Sequence, residues 1–139
     1  MGDLKVNEVH IYLMFYDFDF QPKEISKLLN LEPTMSGIEG EEYYLSSKRK
    51  SVYKSNRWEF RRDYEIGKKW VQEFIDDFIV EIIEPREKEI RDIMSKGDGE
   101  FSVVPYFYSE ANPGFFFEKK TIKILSEASL PLNLDIYSL

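Results

Sequence analysis

The side chains best able to do chemistry are few and scattered. His10 is the one histidine and cysteine is absent, so a Ser-His-Asp arrangement would have to use His10 and no Cys-His pair exists. His10 falls on the polar side of an alternating stretch, where a histidine is ordinarily a hydrogen-bonded surface residue, and it stands in no metal-ligand spacing. Asp17 and Asp19 end that stretch, a place where carboxylates can gather for metal or acid–base work. Aspartates that stop strands and cap helices occupy the same positions without any chemistry. Asp135 would join them only if the first and last strands are neighbours. An enzyme would rest on His10, Asp17, Asp19 and Tyr137, and no two of these have a spacing that a reaction requires. The expectation is no catalytic residue, no metal site and no cofactor.

The glycines build no phosphate cradle. Gly37-Ile38-Glu39-Gly40 and Gly97-Asp98-Gly99 lack the P-loop lysine and the dinucleotide spacing, and their acidic neighbours would repel phosphate. One segment, residues 48–62, runs against the net charge of −7. There Lys48, Arg49, Lys50, Lys54, Arg57, Arg61 and Arg62 surround Tyr53 and Trp58, a composition that can grip single-stranded nucleic acid by phosphate contact and base stacking. The overall acidity disfavours that partner, and cations also guard strand edges against unwanted pairing. The acidic side is larger: Glu39, Glu41 and Glu42 in a loop, then Asp76, Asp77, Glu81 and Glu84 along a helix. Such a face would receive a basic protein with fast, salt-sensitive association; the plain alternative is the wet side of a helix. The candidate binding residues are therefore Tyr53, Arg57, Trp58 and Arg61 on one side, and Asp76, Asp77 and Glu81 on the other.

These groups must be held by elements that the hydrophobic pattern marks out. Over residues 6–16, Val9, Ile11, Leu13 and Phe15 alternate with Glu8, His10, Tyr12, Met14 and Tyr16, which predicts a strand with one buried face. Pro22 suits the first turn of a short helix that Pro33 stops near Asn30. Residues 35–51 read as a loop or irregular hairpin, and 56–62 as a strand. Ile66, Trp70, Val71, Phe74, Ile75, Phe78, Ile79, Ile82 and Ile83 recur at helical spacing, with Lys68, Lys69, Gln72 and Glu73 on the other face. Pro85 opens a second helix over 86–95. A strand follows over 101–108, where Pro105 marks an edge or a bulge. After a turn at Asn112-Pro113-Gly114 come a helix stripe (Phe117, Thr121, Ile124, Leu125, Ala128) and a last strand carrying Leu132, Leu134 and Ile136.

The 139 residues suit one domain. With 42% hydrophobic and 16% aromatic residues, the chain is too apolar to be disordered. Its N-terminus lacks the basic and apolar stretches of a secretory signal, no apolar run is long enough to span a bilayer, and the absence of cysteine fits a cytoplasmic address. The expected fold is α+β: a two-layer sandwich of a mostly antiparallel sheet with helices on one face, ferredoxin-like if its two similar ends form two β-α-β units.

Pro22 to Ile25 leading to Leu28, then Leu31-Glu32-Pro33-Thr34, Trp58-Glu59-Phe60 and the closing Leu132-Asn133-Leu134-Asp135-Ile136-Tyr137 resemble the bacterial domain-of-unknown-function family numbered 4279. Asn30 departs from the pattern, which would have glycine before the Leu-Glu-Pro exit. The resemblance implies a small bacterial cytosolic protein and brings no catalytic residues with it. Small acidic proteins of this kind look like immunity proteins, so a protein-binding module for a basic partner such as a toxin is the leading expectation. The alternatives are a small-molecule sensor with an aromatic pocket and nucleic-acid binding through 48–62.

Overall fold

In the computed structural model, which describes residues 5–67, 69–108 and 114–139, the first strand sits at the centre of the sheet. The expected turn at 112–114, apart from Gly114, and Lys68 of the expected helix lie outside those residues. Strand β1 (Glu8–Tyr16) lies between β5 (Arg57–Glu65) and β6 (Asp98–Phe107) and is antiparallel to both. Strand β2 (Met35–Gly37) borders β5, and β7 (Leu132–Leu134) and β8 (Tyr137–Ser138) run parallel to β6, giving the order β2-β5-β1-β6-β7. A separate hairpin, β3 (Glu42–Ser46) and β4 (Arg49–Val52), with a register shift between Tyr44 and Ser46, occupies most of the stretch expected to be a loop or irregular hairpin.

The fold is α+β as expected, with three helical segments on one side of the sheet. The strand order does not establish the ferredoxin-like arrangement. At the first end the chain returns antiparallel, from β1 through helix α1 (Pro22–Leu29) to β5, and only the second end, β6 to β7 through helix α4 (Lys119–Glu127), is a parallel crossover.

Alternation decides which face is buried. Val9, Ile11, Leu13 and Phe15 are fully enclosed, while the intervening residues of β1 are half-exposed. The enclosed row packs with Trp58, Phe101 and Val103 from its neighbours against Ile25, Phe78, Ile83, Ile90 and Ile124 of the helices. Each such side chain contributes roughly 1.5–3 kcal/mol by leaving water, so a register slip of one residue would forfeit the whole row. Phe78 stands between Phe60 and Phe101, with ring centroids 6.0 and 5.7 Å away.

Local chemistry sets the helix ends. Pro22 begins α1, and Asn30 ends it in the left-handed conformation at φ 54°. Asparagine tolerates that conformation better than most side chains, which explains how this chain manages without glycine there. Helix α2 (Val71–Phe78) starts later than its spacing suggested. Gly67 takes φ 55°, the Lys69 N–H donates to the Ile66 carbonyl in a turn, and Trp70 is extended and 66% exposed. Ile66 is buried, but from the turn and not from the helix. The helix widens to a π turn over Ile79–Ile83 and tightens to 3₁₀ over Glu84–Arg86 before α3 (Glu87–Met94). Pro85 is the cause: its ring crowds the carbonyl one turn back and it has no N–H to offer. Arg86 repairs the gap, donating from Nη1 to the Glu81 and Ile82 carbonyls at 3.2 Å each and from Nε to the Leu29 carbonyl at 2.7 Å.

Pro105 is neither at an edge nor in a bulge, because β6 has partners on both sides. Phe101, Val103 and Phe107 bond outward to the 131–139 segment. Pro105 shares their phase, so its missing N–H faces the break between β7 and β8.

Candidate functional site

The helix-free face of the sheet gathers the polar half of every alternating strand. Strand register lays these residues out in rows across β5, β1 and β6: Arg57–Tyr16–Asp98, Glu59–Met14–Glu100, Arg61–Tyr12–Ser102, Asp63–His10–Val104 and Glu65–Glu8–Tyr106. Asn133, Asp135 and Tyr137 continue the face beyond β6. A shallow hollow of about 390 Å³ opens here, lined by Tyr12, Tyr106 and Tyr137, by Glu59, Glu100 and Asp135, and by Met14, Ser102 and Asn133.

The side chains of this face are fixed by one another. Asn133 donates to the buried Ser102 hydroxyl at 3.3 Å. The Tyr137 hydroxyl donates to Asp135 at 3.0 Å, and its ring stacks on Tyr106 at 5.2 Å and 10°. Tyr16 donates to Glu100 at 3.3 Å. Arg57 meets Glu59 at 3.2 Å, and Arg61 pairs with Asp63 at 3.0 Å while lying over the Tyr12 ring. Glu59 is well enclosed, its side chain 14% exposed against 44% for Asp63. Burial pushes its pKa above the usual carboxylate range; Arg57 and Arg61 pull it back, and Glu100 pushes it further up. Burial also raises the Tyr16 and Tyr106 hydroxyls, with Glu100 adding at Tyr16 and Tyr12 at Tyr106. The hydrogen bond to Asp135 raises Tyr137. These phenols stay protonated near neutrality and act as donors, not bases.

Carboxylates set between tyrosine rings can hold a cation, the carboxylate by charge-assisted hydrogen bonds and the rings by their electron-rich faces. A guanidinium or ammonium group fits that combination. Among the described residues no cluster of three or more metal-ligating side chains occurs, and no helix is long and apolar enough to cross a membrane.

The residues singled out from sequence are dispersed. Trp58 is fully buried on the helix side, its Nε1 donating to the Ser26 hydroxyl at 2.9 Å. Tyr53 is half-buried, its ring tilted against Tyr43 with centroids 4.4 Å apart and lying over Gly37, where a Cβ would be 2.4 Å from ring atoms. Arg57 and Arg61 share the open face. Asp76 accepts from Thr121 at 3.0 Å, Glu81 is bound by Arg62, and Asp77 is exposed on α2. Of the other cations of 48–62, Lys50 pairs with Glu42 at 3.7 Å in the hairpin. His10 lies 3.6 Å from Glu8 and 3.7 Å from Asp63 and packs on Tyr106. Asp17 and Asp19 follow the opposite end of β1 from His10, and Asp135 lies on the open face beyond β6.

The residues that sequence reasoning missed as a site are Tyr12, Met14, Glu59, Glu100, Tyr106 and Asn133. One signal was available: a merely wet strand face would not carry His10, Tyr12, Met14 and Tyr16 in succession.

A mostly antiparallel sheet with helices on one face and a tyrosine- and carboxylate-lined hollow on the other defines an α+β protein with an open sheet face. Residues 7–139 match the family described as "Domain of unknown function (DUF4279)", and the chain belongs to that family. Comparison with curated proteins and with solved structures found no match.

Proposed function

We propose that this protein is a non-catalytic binding module that captures a basic protein partner, such as a toxin, on the helix-free face of its sheet. The observation that carries this reading is the hollow itself, where Glu59, Glu100 and Asp135 stand among Tyr12, Tyr106 and Tyr137. A partner's arginine or lysine entering there meets Glu59, whose carboxylate is already partly stripped of water, so that charge-assisted bond forms in a lower dielectric than at an open surface. The net charge of −7 steers such a partner in.

The test is calorimetric titration with an arginine-rich peptide at low and high salt, for wild type and for Glu59→Gln/Glu100→Gln. The reading expects saturable binding that weakens with salt and falls at least tenfold in the double variant. Binding that ignores both salt and the two substitutions overturns it. A small-molecule sensor is the second reading, favoured by the hollow's size, which lies within the range of ligand pockets. It expects a metabolite that raises the melting temperature of wild type but not of the double variant.

A further inference from the structure

The 131–139 segment is one edge strand and not two. Leu132 stands opposite Phe101, Leu134 opposite Val103, Tyr137 opposite Tyr106 and Ser138 opposite Phe107, so the register never slips. The break between β7 and β8 falls where Pro105 has no N–H to give. The Phe101 N–H donates to the Pro131 carbonyl at 2.9 Å, Asp135 to Val103 at 3.0 Å and Leu139 to Phe107 at 2.8 Å. Backbone groups alternate sides along a strand. The odd-numbered residues therefore turn theirs to β6, and Leu132, Leu134, Ile136 and Ser138 turn theirs away from the sheet.

That outward edge has little of the usual protection against pairing. It contains no lysine or arginine, Pro131 precedes it, and Asp135 is its single charged side chain. Leu132, Leu134 and Ile136 are 40%, 36% and 45% exposed. The opposite edge, β2, is only three residues long.

We propose that this edge pairs with itself, antiparallel across a twofold axis, in a second copy of the chain. The phase of the outward groups limits the registers to those that set even-numbered residues opposite even-numbered ones. Among these, an axis at Leu134 opposite its own copy pairs all three exposed apolar residues of the edge with one another. Leu132 then faces Ile136 of the second chain, and these pairs exchange about six backbone hydrogen bonds. On the helix side every juxtaposition is apolar. On the open side Asn133 faces Asp135 of the other copy, an amide donor beside a carboxylate, twice over. Centring the axis on Asp135 would bring two carboxylates together and leave Leu132 facing Ser138 of the other copy. The sequence Leu132-Asn133-Leu134-Asp135-Ile136 is thus complementary to itself about Leu134, in a register that the hydrogen-bond phase allows, which favours a second copy over a foreign strand. The edge is also the near-neutral strip of a chain carrying −7, where two copies approach with least repulsion.

Sedimentation equilibrium of the full chain, from about 2 to about 200 µM, tests this. The expected result is a concentration-dependent dimer that tightens as salt rises and screens the like net charges. Partner capture on the open face weakens with salt, so the two ideas fail separately. Leu134→Pro deletes the two N–H groups at the axis, a change an exposed edge tolerates. Leu134→Lys sets two ammonium groups face to face. Both variants should be monomeric, with unchanged circular dichroism in at least Leu134→Lys. In wild type, the Leu134 amide should exchange hydrogen slowly at high concentration and fast at low. A wild type that stays monomeric throughout overturns the proposal, whether or not the edge takes up a foreign strand. So does a dimer that survives Leu134→Lys, or a Leu134 amide that exchanges fast at every concentration.

Discussion

Replacing Arg86 by alanine should cost about 2–4 kcal/mol, because one guanidinium closes two faults in the helical layer. Its Nε bonds the Leu29 carbonyl at 2.7 Å, at the left-handed end of α1, and its Nη1 is shared between the Glu81 and Ile82 carbonyls at 3.2 Å. A hydrogen bond from a charged donor contributes roughly 1.5–3 kcal/mol net. The short Leu29 bond counts in full. The shared pair counts toward the low end, since water reaches that side. Melting followed by circular dichroism should fall by about 6–12 °C, at ~3 °C per kcal/mol for a chain of this size. Lysine at 86 should recover less than half, having one ammonium where two helix ends need donors. Pro85 supplies the sharper test. Pro85→Ala returns an N–H that can reach the Glu81 carbonyl, so Arg86→Ala should cost about 1 kcal/mol less in that background. Equal costs in both backgrounds, or a loss below about 1 kcal/mol for Arg86→Ala alone, would refute the role assigned to Pro85 and Arg86.

Two further outcomes follow from close packing and from burial of charge. A Cβ on Gly99 would lie 2.5 Å from the Met14 carbonyl oxygen and 2.9 Å from the Phe15 ring, so Gly99→Ala should destabilise by about 1–3 kcal/mol. Gly114→Ala, whose Cβ would meet nothing among the described residues within 4 Å, should stay within about 0.5 kcal/mol of wild type by urea unfolding. Glu59 holds its proton more tightly when folded than when unfolded, mainly through burial. Between the usual carboxylate range and the raised folded value, the native state carries more protons, and stability falls as pH rises through that window. Glu59→Gln removes this dependence, so its stability relative to wild type should increase from about pH 4 to about pH 7. A flat or falling difference would mean that Glu59 is not penalised by burial.

What the sequence made legible was local. β1 could be read because its buried and half-exposed sides alternate without a break, and α1 because Pro22 and the Leu31-Glu32-Pro33 exit bracket it. The long helix was read too early because Ile66 and Trp70 fall at helical spacing by coincidence. Gly67 turns the chain between them, and spacing alone does not report that conformation. Pro105 misled for a related reason: its lost donor matters only on the side it faces, which depends on register. The strand order and the open-face site lay beyond local pattern. Glu59 and Glu100 are remote in sequence and meet only because both pair with Met14. Trp58 and Arg57 are adjacent in sequence yet point to opposite sides of the sheet, so a cluster counted along the chain divides between core and surface.

The claim that the open sheet face receives a basic group is tested most directly by two-dimensional NMR of the full chain titrated with an arginine-rich peptide. The account predicts saturable shifts centred on Tyr12, Met14, Glu59, Ser102 and Tyr106, lost in Glu59→Gln/Glu100→Gln. Shifts centred on Asp76, Asp77 and Glu81 of the helix layer, or none at any concentration, would contradict it.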